Sequence, residues 1–523
     1  MTPTRDDKAR EGALTDLDST LLVEASAGTG KTSLLAGRVV LLLAAGRAPS
    51  SIAAITFTER AAAELRVRVD KFASMLINGT IPKDLEPAFS ERALSDDQVD
   101  TLLGARAGLG ELTASTIHSF CLAILQSYAV EARIDPGAAV MDAEQTDLAF
   151  EAIFDSWLNR RLGHEARRDD AIVVMAAHDP NLAVKTLKSL AKFRRSHPEA
   201  RPLPPPRYAD TIHELIDAVA EYRRWISRVG APTEAMADVV AFEELANALA
   251  PASSTDLHFS QLWLLVHPTS STLLPRGGHV ISRYKSRIGP WSRSAGKVDG
   301  AQFSATGKEH YERCAKLFAD SMGAIADTLL ASFFGETDEL IDAFETFKRN
   351  AAVLDFDDIL VRARNLLRSD EDVRKAVALR YRHILVDEYQ DTDPLQSEIL
   401  FLITSKPGSS ESWDSRSLRP GALFMVGDPK QAIYRFRRAD LKSYLRARSA
   451  IEAQFPGNVL QISANFRSGK SILEHVDRVF AERLTKQQGG YAPLDSTVAE
   501  DSNRIQSIAK LSYEVPPESY VNP

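Results

Sequence analysis

The residues in this chain whose types and spacing could do chemistry fall in two places: a lysine and a threonine closing a glycine-rich run, and two adjacent carboxylates far downstream. The run is Ala25-Ser26-Ala27-Gly28-Thr29-Gly30-Lys31-Thr32. Gly28 and Gly30 would let the backbone wrap closely around a phosphate, with N–H groups and a helix N-terminus turned toward the anion. Lys31 would supply a point charge for the β- and γ-phosphates of a nucleotide, and Thr32 a hydroxyl for Mg²⁺. Ala25 stands where this pattern usually has its first glycine. The second place is Asp387-Glu388, at the end of the apolar run 384–386. Asp387 would hold Mg²⁺, and Glu388 would orient or deprotonate an attacking water. Acid pairs at strand ends are common, and a glycine-rich turn can arise by chance. Together, flanked by the right elements, they specify nucleotide hydrolysis.

Those elements read as α/β. Residues 21–24 form a short apolar strand, and a long apolar helix begins near Lys31. A second strand covers 52–57, and the Ala-rich run 59–69 is a good helix former. Strand-turn-helix patterns return at 383–386 and 422–426, separated by a polar loop over 406–421. Between the two halves, 140–345 carries helical periodicity, broken by the Pro-rich loop 201–207 and the Gly/Ser-containing stretch 267–307. The simplest architecture is a parallel sheet interrupted by a large helical insertion. Parallel sheets of this kind bind ligands at the carboxyl ends of their strands, where both candidate clusters fall.

Bulk properties leave this reading open without deciding it. The 523 residues imply several domains, and a composition of 44% hydrophobic and 26% charged residues is ordinary for a globular protein. A net charge of −8 argues against broad polyanion binding but leaves room for a local basic groove. Cys121 and Cys314 are the only cysteines, too few for a disulfide framework or a four-cysteine metal site. No run reads as long enough to span a bilayer, and the first residues lack a signal-peptide core, so the expected location is cytoplasmic, with no membrane partner.

Further motifs carry a resemblance. Asp-Glu-Tyr-Gln-Asp-Thr at 387–392 looks like the DExQDT box of UvrD/Rep-type superfamily 1 helicases, and residues 426–437, Val-Gly-Asp-Pro-Lys-Gln-Ala-Ile-Tyr-Arg-Phe-Arg, resemble their third motif. Residues 55–65 are similar to motif Ia, Thr-Ile-His-Ser-Phe-Cys at 116–121 to motif Ib, and Asn-Phe-Arg-Ser at 465–468 to motif IV. Leu-Asp-Phe-Asp-Asp-Ile-Leu at 354–360 and the form of the phosphate loop resemble the RecB/AddA branch. The resemblance implies a RecA-like sheet domain divided into 1–139 and 346–456, a helical insertion over 140–345, and the start of a second motor domain at 457–523. It implies that Gln431 contacts the γ-phosphate, that Arg467 acts as an arginine finger, and that Phe466 stacks on adenine. Phe57, Thr58, His118, Tyr434, Phe436 and Arg437 match positions that hold single-stranded DNA, a grip that aromatic faces and nearby cations provide without regard to sequence. For Phe57 and Phe436, ordinary core packing is the competing reading. Two basic stretches lie in the insertion. Residues 185–195 read as a solvated charged face, while 283–293, with Tyr284 and Trp291 among its cations, fits strand binding equally well.

Two departures from the family stand out. No glutamine precedes Lys31 to read adenine. After Arg467 the chain is also shorter than the roughly 100 residues of a full second motor domain, and motifs V and VI are not found. The expectation from sequence is therefore a truncated or split helicase, with an incomplete second motor domain. It would act 3′ to 5′ on single-stranded or partly duplex DNA in repair or recombination. Its partner would be a separately encoded C-terminal half or a nuclease–helicase subunit. The alternative is a nucleotide- and DNA-binding remnant or regulatory module that does not unwind DNA. A P-loop kinase or GTPase fits less well, because it has no use for Gln431 and Arg467.

Overall fold

The computed structural model describes residues 6–89, 93–163, 170–197, 200–204, 207–254, 257–266, 272–274, 281–285, 287–408, 412–484 and 492–498. Within them the chain forms two compact units, one from residues up to Val140 and from Leu354 onward, the other from Met141–Val353.

The first unit is built on six parallel strands: β1 (Leu21–Ala25), β2 (Ile52–Thr56), β3 (Thr113–Thr116), β4 (His383–Val386), β5 (Leu423–Gly427) and β6 (Val459–Ile462). They lie side by side in the order β3-β2-β4-β5-β1-β6, with register such as Leu22 opposite Met425 and Ala54 opposite Leu385. Side chains alternate between the faces, as strand geometry requires. Leu21, Val23, Ile52, Ala54, Leu385, Phe424 and Val426 enter one core, and Leu22, Ala53, Ile55, Ile384, Val386, Leu423 and Met425 enter the other. Both faces are apolar because helices cover both, so the strands read as continuous apolar runs. Helices Lys31–Ala44 and Glu59–Ile77 supply the first core, and Ile117–Ser127, Phe356–Ser369 and Pro394–Thr404 the second. Each buried Leu or Ile contributes about 1.5–3 kcal/mol.

One buried cation ties this unit together. Arg38 on helix Lys31–Ala44 donates to the carbonyls of Ala13 (2.7 Å), Asp16 (2.7 Å) and Ser19 (3.2 Å), and its guanidinium lies 4.5 Å from the Phe424 ring centroid. Burial lowers its pKa to about 10, opposed by Asp16 and Asp18, so it stays charged. It thereby anchors the C-terminal end of helix Asp7–Thr15, which returns below as part of the site.

Val459–Ile462 falls in the range that sequence assigns to a second motor domain. In the structure it pairs with β1 as the edge strand of this sheet, and Ile462 is buried in the sheet's core.

The second unit is helical. Its core collects Phe154, Trp157, Tyr222, Phe242, Trp291, Cys314 and Phe318 from helices that include Ala143–Arg161, Tyr208–Arg228, Thr233–Leu249 and Lys297–Glu336. Two readings of the sequence change here. The Gly/Ser-containing stretch holds helices Ile288–Ala295 and the start of Lys297–Glu336, which touch where Gly300 leaves room: a Cβ there would lie 2.6 Å from Ser292 Cα. The span Lys297–Asn350 is also long and apolar enough to cross a membrane by length and composition, contrary to the expectation from sequence. Its apolar face is occupied within the unit, since Cys314, Phe318, Ile325 and Phe333 are all core residues.

Packing accounts for the aromatics and several of the cations in the basic stretches. Trp291 is fully buried, Tyr284 is partly buried, and Arg287 donates to Asp238 at 2.8 Å, so the aromatics of 283–293 serve the core. In 185–195, Lys188 pairs with Glu151, Arg194 with Asp338, and the Arg195 guanidinium lies over Phe344 at 4.5 Å.

Candidate nucleotide site and nucleic-acid interface

The carboxyl ends of β4, β5 and β1 are neighbours, and each carries one of the sequence clusters. Ala25 ends β1 and is buried, Ser26 and Ala27 begin the turn, and the Thr29 hydroxyl closes it by donating to the Ser26 carbonyl at 2.7 Å. Gly28 (φ 78°) and Gly30 (φ 84°) adopt the left-handed backbone that favours glycine, and Gly30 caps helix Lys31–Ala44. Gly28 is needed for space as well as for conformation: a Cβ there would lie 2.8 Å from both Arg467 Cβ and Asn465 Nδ2. The Lys31 ammonium is nearly buried and pairs with the Glu388 carboxylate.

Asp387 continues β4, its N–H donating to the Ile55 carbonyl at 2.9 Å. Burial first, and the Glu388 charge second, raise its carboxyl to about 6, while Lys31 and a hydrogen bond from Thr32 oppose the shift. The Thr32 hydroxyl and the Asp387 carboxylate are thus close neighbours. Two hard oxygen donors beside an anion-binding loop fit Mg²⁺, a cation that takes few protein ligands and shares the rest with water and phosphate. Among the described residues no group of three or more His, Cys, Asp or Glu gathers as an all-protein metal cage. Glu388 takes a left-handed φ of 50°, a costly conformation for a residue with a Cβ and one that clusters at functional sites.

Gln390, which the sequence reading passed over as part of a motif, links this pair to β5. It is buried; its amide N–H donates to Glu388 Oε2 at 2.8 Å and its carbonyl oxygen accepts from the Asp428 N–H at 2.9 Å. Gln431 donates to Asp428 Oδ2 at 2.7 Å. Lys31, Glu388, Gln390, Asp428 and Gln431 therefore form one continuous polar chain. Asp391 beside it is raised to about 6 by burial and the Glu388 charge.

Three residues beyond Gln431 in the chain, Tyr434 sits at the centre of an aromatic cluster. Phe57 and Tyr434 have ring centroids 5.1 Å apart, and Tyr434 and Phe436 lie 5.7 Å apart. Phe436 is 81% exposed and Phe57 half-buried, so neither is a core residue and the packing alternative fails for both. His118 meets Phe356 edge-on at 5.5 Å. Phe356 is a solvent-facing aromatic from the 354–360 segment that motif matching assigned no role. Thr58 spends its hydroxyl on the Ala61 N–H (3.1 Å), capping helix Glu59–Ile77. The Arg437 side chain lies outside the described residues, while Arg438 pairs with both Asp357 oxygens at 2.8 and 3.0 Å. One cleft is lined by residues of both regions, Phe57 and His118 together with Asp387, Glu388 and Asp391.

Residues 463–467 cover the phosphate loop. Asn465 Nδ2 donates to the Ala27 carbonyl (2.7 Å) and the Phe466 N–H to the Gly28 carbonyl (2.8 Å), which places Phe466 and Arg467 at the loop's edge. The sequence profile of the UvrD/REP helicase N-terminal domain matches residues 6–452. The chain belongs to that family. Among curated proteins, this UvrD/REP-family chain is similar to an ATP-dependent helicase/nuclease subunit of Natranaerobius thermophilus, at 25% identity over 90% of this chain and 37% of that protein. It is 26% identical to the same-named protein of Levilactobacillus brevis, over 96% of this chain and 41% of the relative. RecBCD enzyme subunit RecB of Escherichia coli K12 is 28% identical over 88% and 38%. The chain thus spans about two fifths of the length of these relatives. The expected resemblance to the RecB/AddA branch and the α/β helicase fold are both met.

Proposed function

We propose that this chain is the ATP-hydrolysing part of a DNA helicase, moving 3′ to 5′ on single-stranded DNA during repair or recombination. The observation that carries the reading is the polar chain from Lys31 through Glu388, Gln390 and Asp428 to Gln431, which ends three residues before Tyr434 of the aromatic cluster. Such a chain gives a change at the phosphates a route to the strand-holding aromatics. Lys31 neutralises Glu388 in this structure; on binding triphosphate it would turn to the phosphates and leave Glu388 free to face water. Mg²⁺, held by Thr32 and Asp387, would supply charge stabilisation to the phosphates. Arg467 would add its charge from the edge of the loop. Phe57, His118, Tyr434 and Phe436 would grip bases by stacking. Stepping along a strand requires two domains that alternate their grip. The complementary motor domain would come from a C-terminal half or from a helicase–nuclease partner subunit.

The test is steady-state ATP hydrolysis by the purified chain, with and without single-stranded DNA. DNA should stimulate turnover, and Lys31→Ala and Glu388→Gln should each cut it by about 100-fold or more. Turnover that survives both substitutions would sink the assignment. Binding of nucleotide and DNA without turnover would favour the non-unwinding module.

A further inference from the structure

The first turn of helix Asp7–Thr15 reaches into the site through two nearly buried charges. Arg10 donates to the Thr29 carbonyl in the phosphate loop and to the Ala464 carbonyl, each at 3.0 Å. Its Nε and Nη2 also reach the two oxygens of Asp6 at 3.3 Å. Asp6 Oδ2 accepts from the N–H groups of Ser463 (2.8 Å) and Ala464 (2.9 Å). The Arg10 guanidinium lies 4.9 Å from the Phe466 ring centroid, while Phe466 remains 51% exposed. One side of that ring is therefore backed by a planar cation whose donors are taken up by protein oxygens, and the ring still presents half its surface to solvent.

We infer that Asp6 and Arg10 are a positioning pair that sets Phe466 as the stacking platform for the nucleotide's base, a role that rests on the nucleotide-site reading above. A planar guanidinium can satisfy two carbonyls and a carboxylate while lying over an aromatic face; a lysine ammonium cannot do all three at once. The in-plane donors hold the backbone of 463–464 at a fixed height over the loop, and the face of the group holds the ring. The phosphate loop has its own fastenings in the Thr29–Ser26 hydrogen bond and the Asn465 contact with Ala27. Loss of Arg10 should therefore disturb the base end of the site more than the phosphate end.

Calorimetric titration of the full chain with Mg-ATP and with Mg-tripolyphosphate, which has the charges and no base, separates the two ends. Arg10→Lys, Asp6→Asn and Phe466→Leu should each weaken ATP about three- to tenfold, the range of an aromatic–cation or stacking contact, and leave tripolyphosphate unchanged. Arg10→Lys placed on Phe466→Leu should add nothing further. Equal loss for both ligands would show that Arg10 acts through the loop, and no loss for either would show that it positions nothing; both results overturn the inference. A thermal melt of each variant identifies a folding failure, and the half-exposed Phe466 keeps the test alive if the buried pair cannot be changed. If the folded wild type binds neither ligand, the nucleotide-site reading itself fails, a result distinct from the other two.

Discussion

Asp387 is held near its own limit. Its carboxyl is raised to about 6 by burial and by Glu388, whereas in the unfolded chain it ionises near the usual ~3.9. Between those values the folded chain carries a proton that the unfolded chain has lost. The group's contribution to stability is therefore complete below about pH 4 and is lost as pH rises through about 6. Asp387→Asn should raise the melting temperature at pH 8, by the equivalent of roughly 1–3 kcal/mol, with the gain shrinking toward pH 4, while hydrolysis collapses. A variant that melts below the wild type at pH 8 would contradict this account. Protons should also compete with Mg²⁺, so that metal-dependent nucleotide binding weakens below about pH 6. Gln390 invites a second substitution: Gln390→Met removes both ends of the Glu388–Asp428 link. Stimulation by DNA should fall about tenfold or more, with ATP affinity changed less. Equal stimulation in variant and wild type would show that the polar chain transmits nothing. At this scale the motif residues were legible because phosphate chemistry restricts which types can serve. Arg10, Asp6 and Gln390 were not, because each acts by reaching another residue, and reach appears only once the chain is folded.

The same contrast holds for the elements. β1, β2, β4 and β5 show in the sequence as unbroken apolar runs because both faces of the sheet are covered. β3, Thr-Ala-Ser-Thr, lies at the sheet's border and has little apolar content to betray it. β6 escaped notice for a different reason, since a motif placed its residues in the next domain. Helix Lys297–Glu336 was obscured by glycines that read as breakers, though at Gly300 the missing side chain is what lets two helices meet. That difference can be measured. Gly300→Ala meets backbone atoms of Ser292 that no rotamer can relieve, and should lower stability by about 1–3 kcal/mol. Gly323→Ala, on the same helix with nothing within 4 Å of the new Cβ, should raise it by about 0.5–1 kcal/mol. Urea midpoints that move together would refute the packing explanation.

For the whole molecule, the division into two units rests on separate apolar cores, one system layered about the sheet and one wholly helical. A core of this size supports folding in isolation. The segment 141–353 expressed alone should be helical by circular dichroism and melt cooperatively; a broad, non-cooperative loss of signal would mean that it depends on the rest of the chain.

The order of strands carries a consequence for synthesis. β1 leaves the ribosome some 400 residues ahead of both its neighbours, β5 and β6. At about 5–20 residues per second, its two edges wait roughly 20–80 s for a partner. During that interval the helical unit is made and can fold, while an apolar ribbon bearing the unfinished phosphate loop stays open to chaperones and to misassociation. The glycine-rich loop is translated long before the strands that give it its shape.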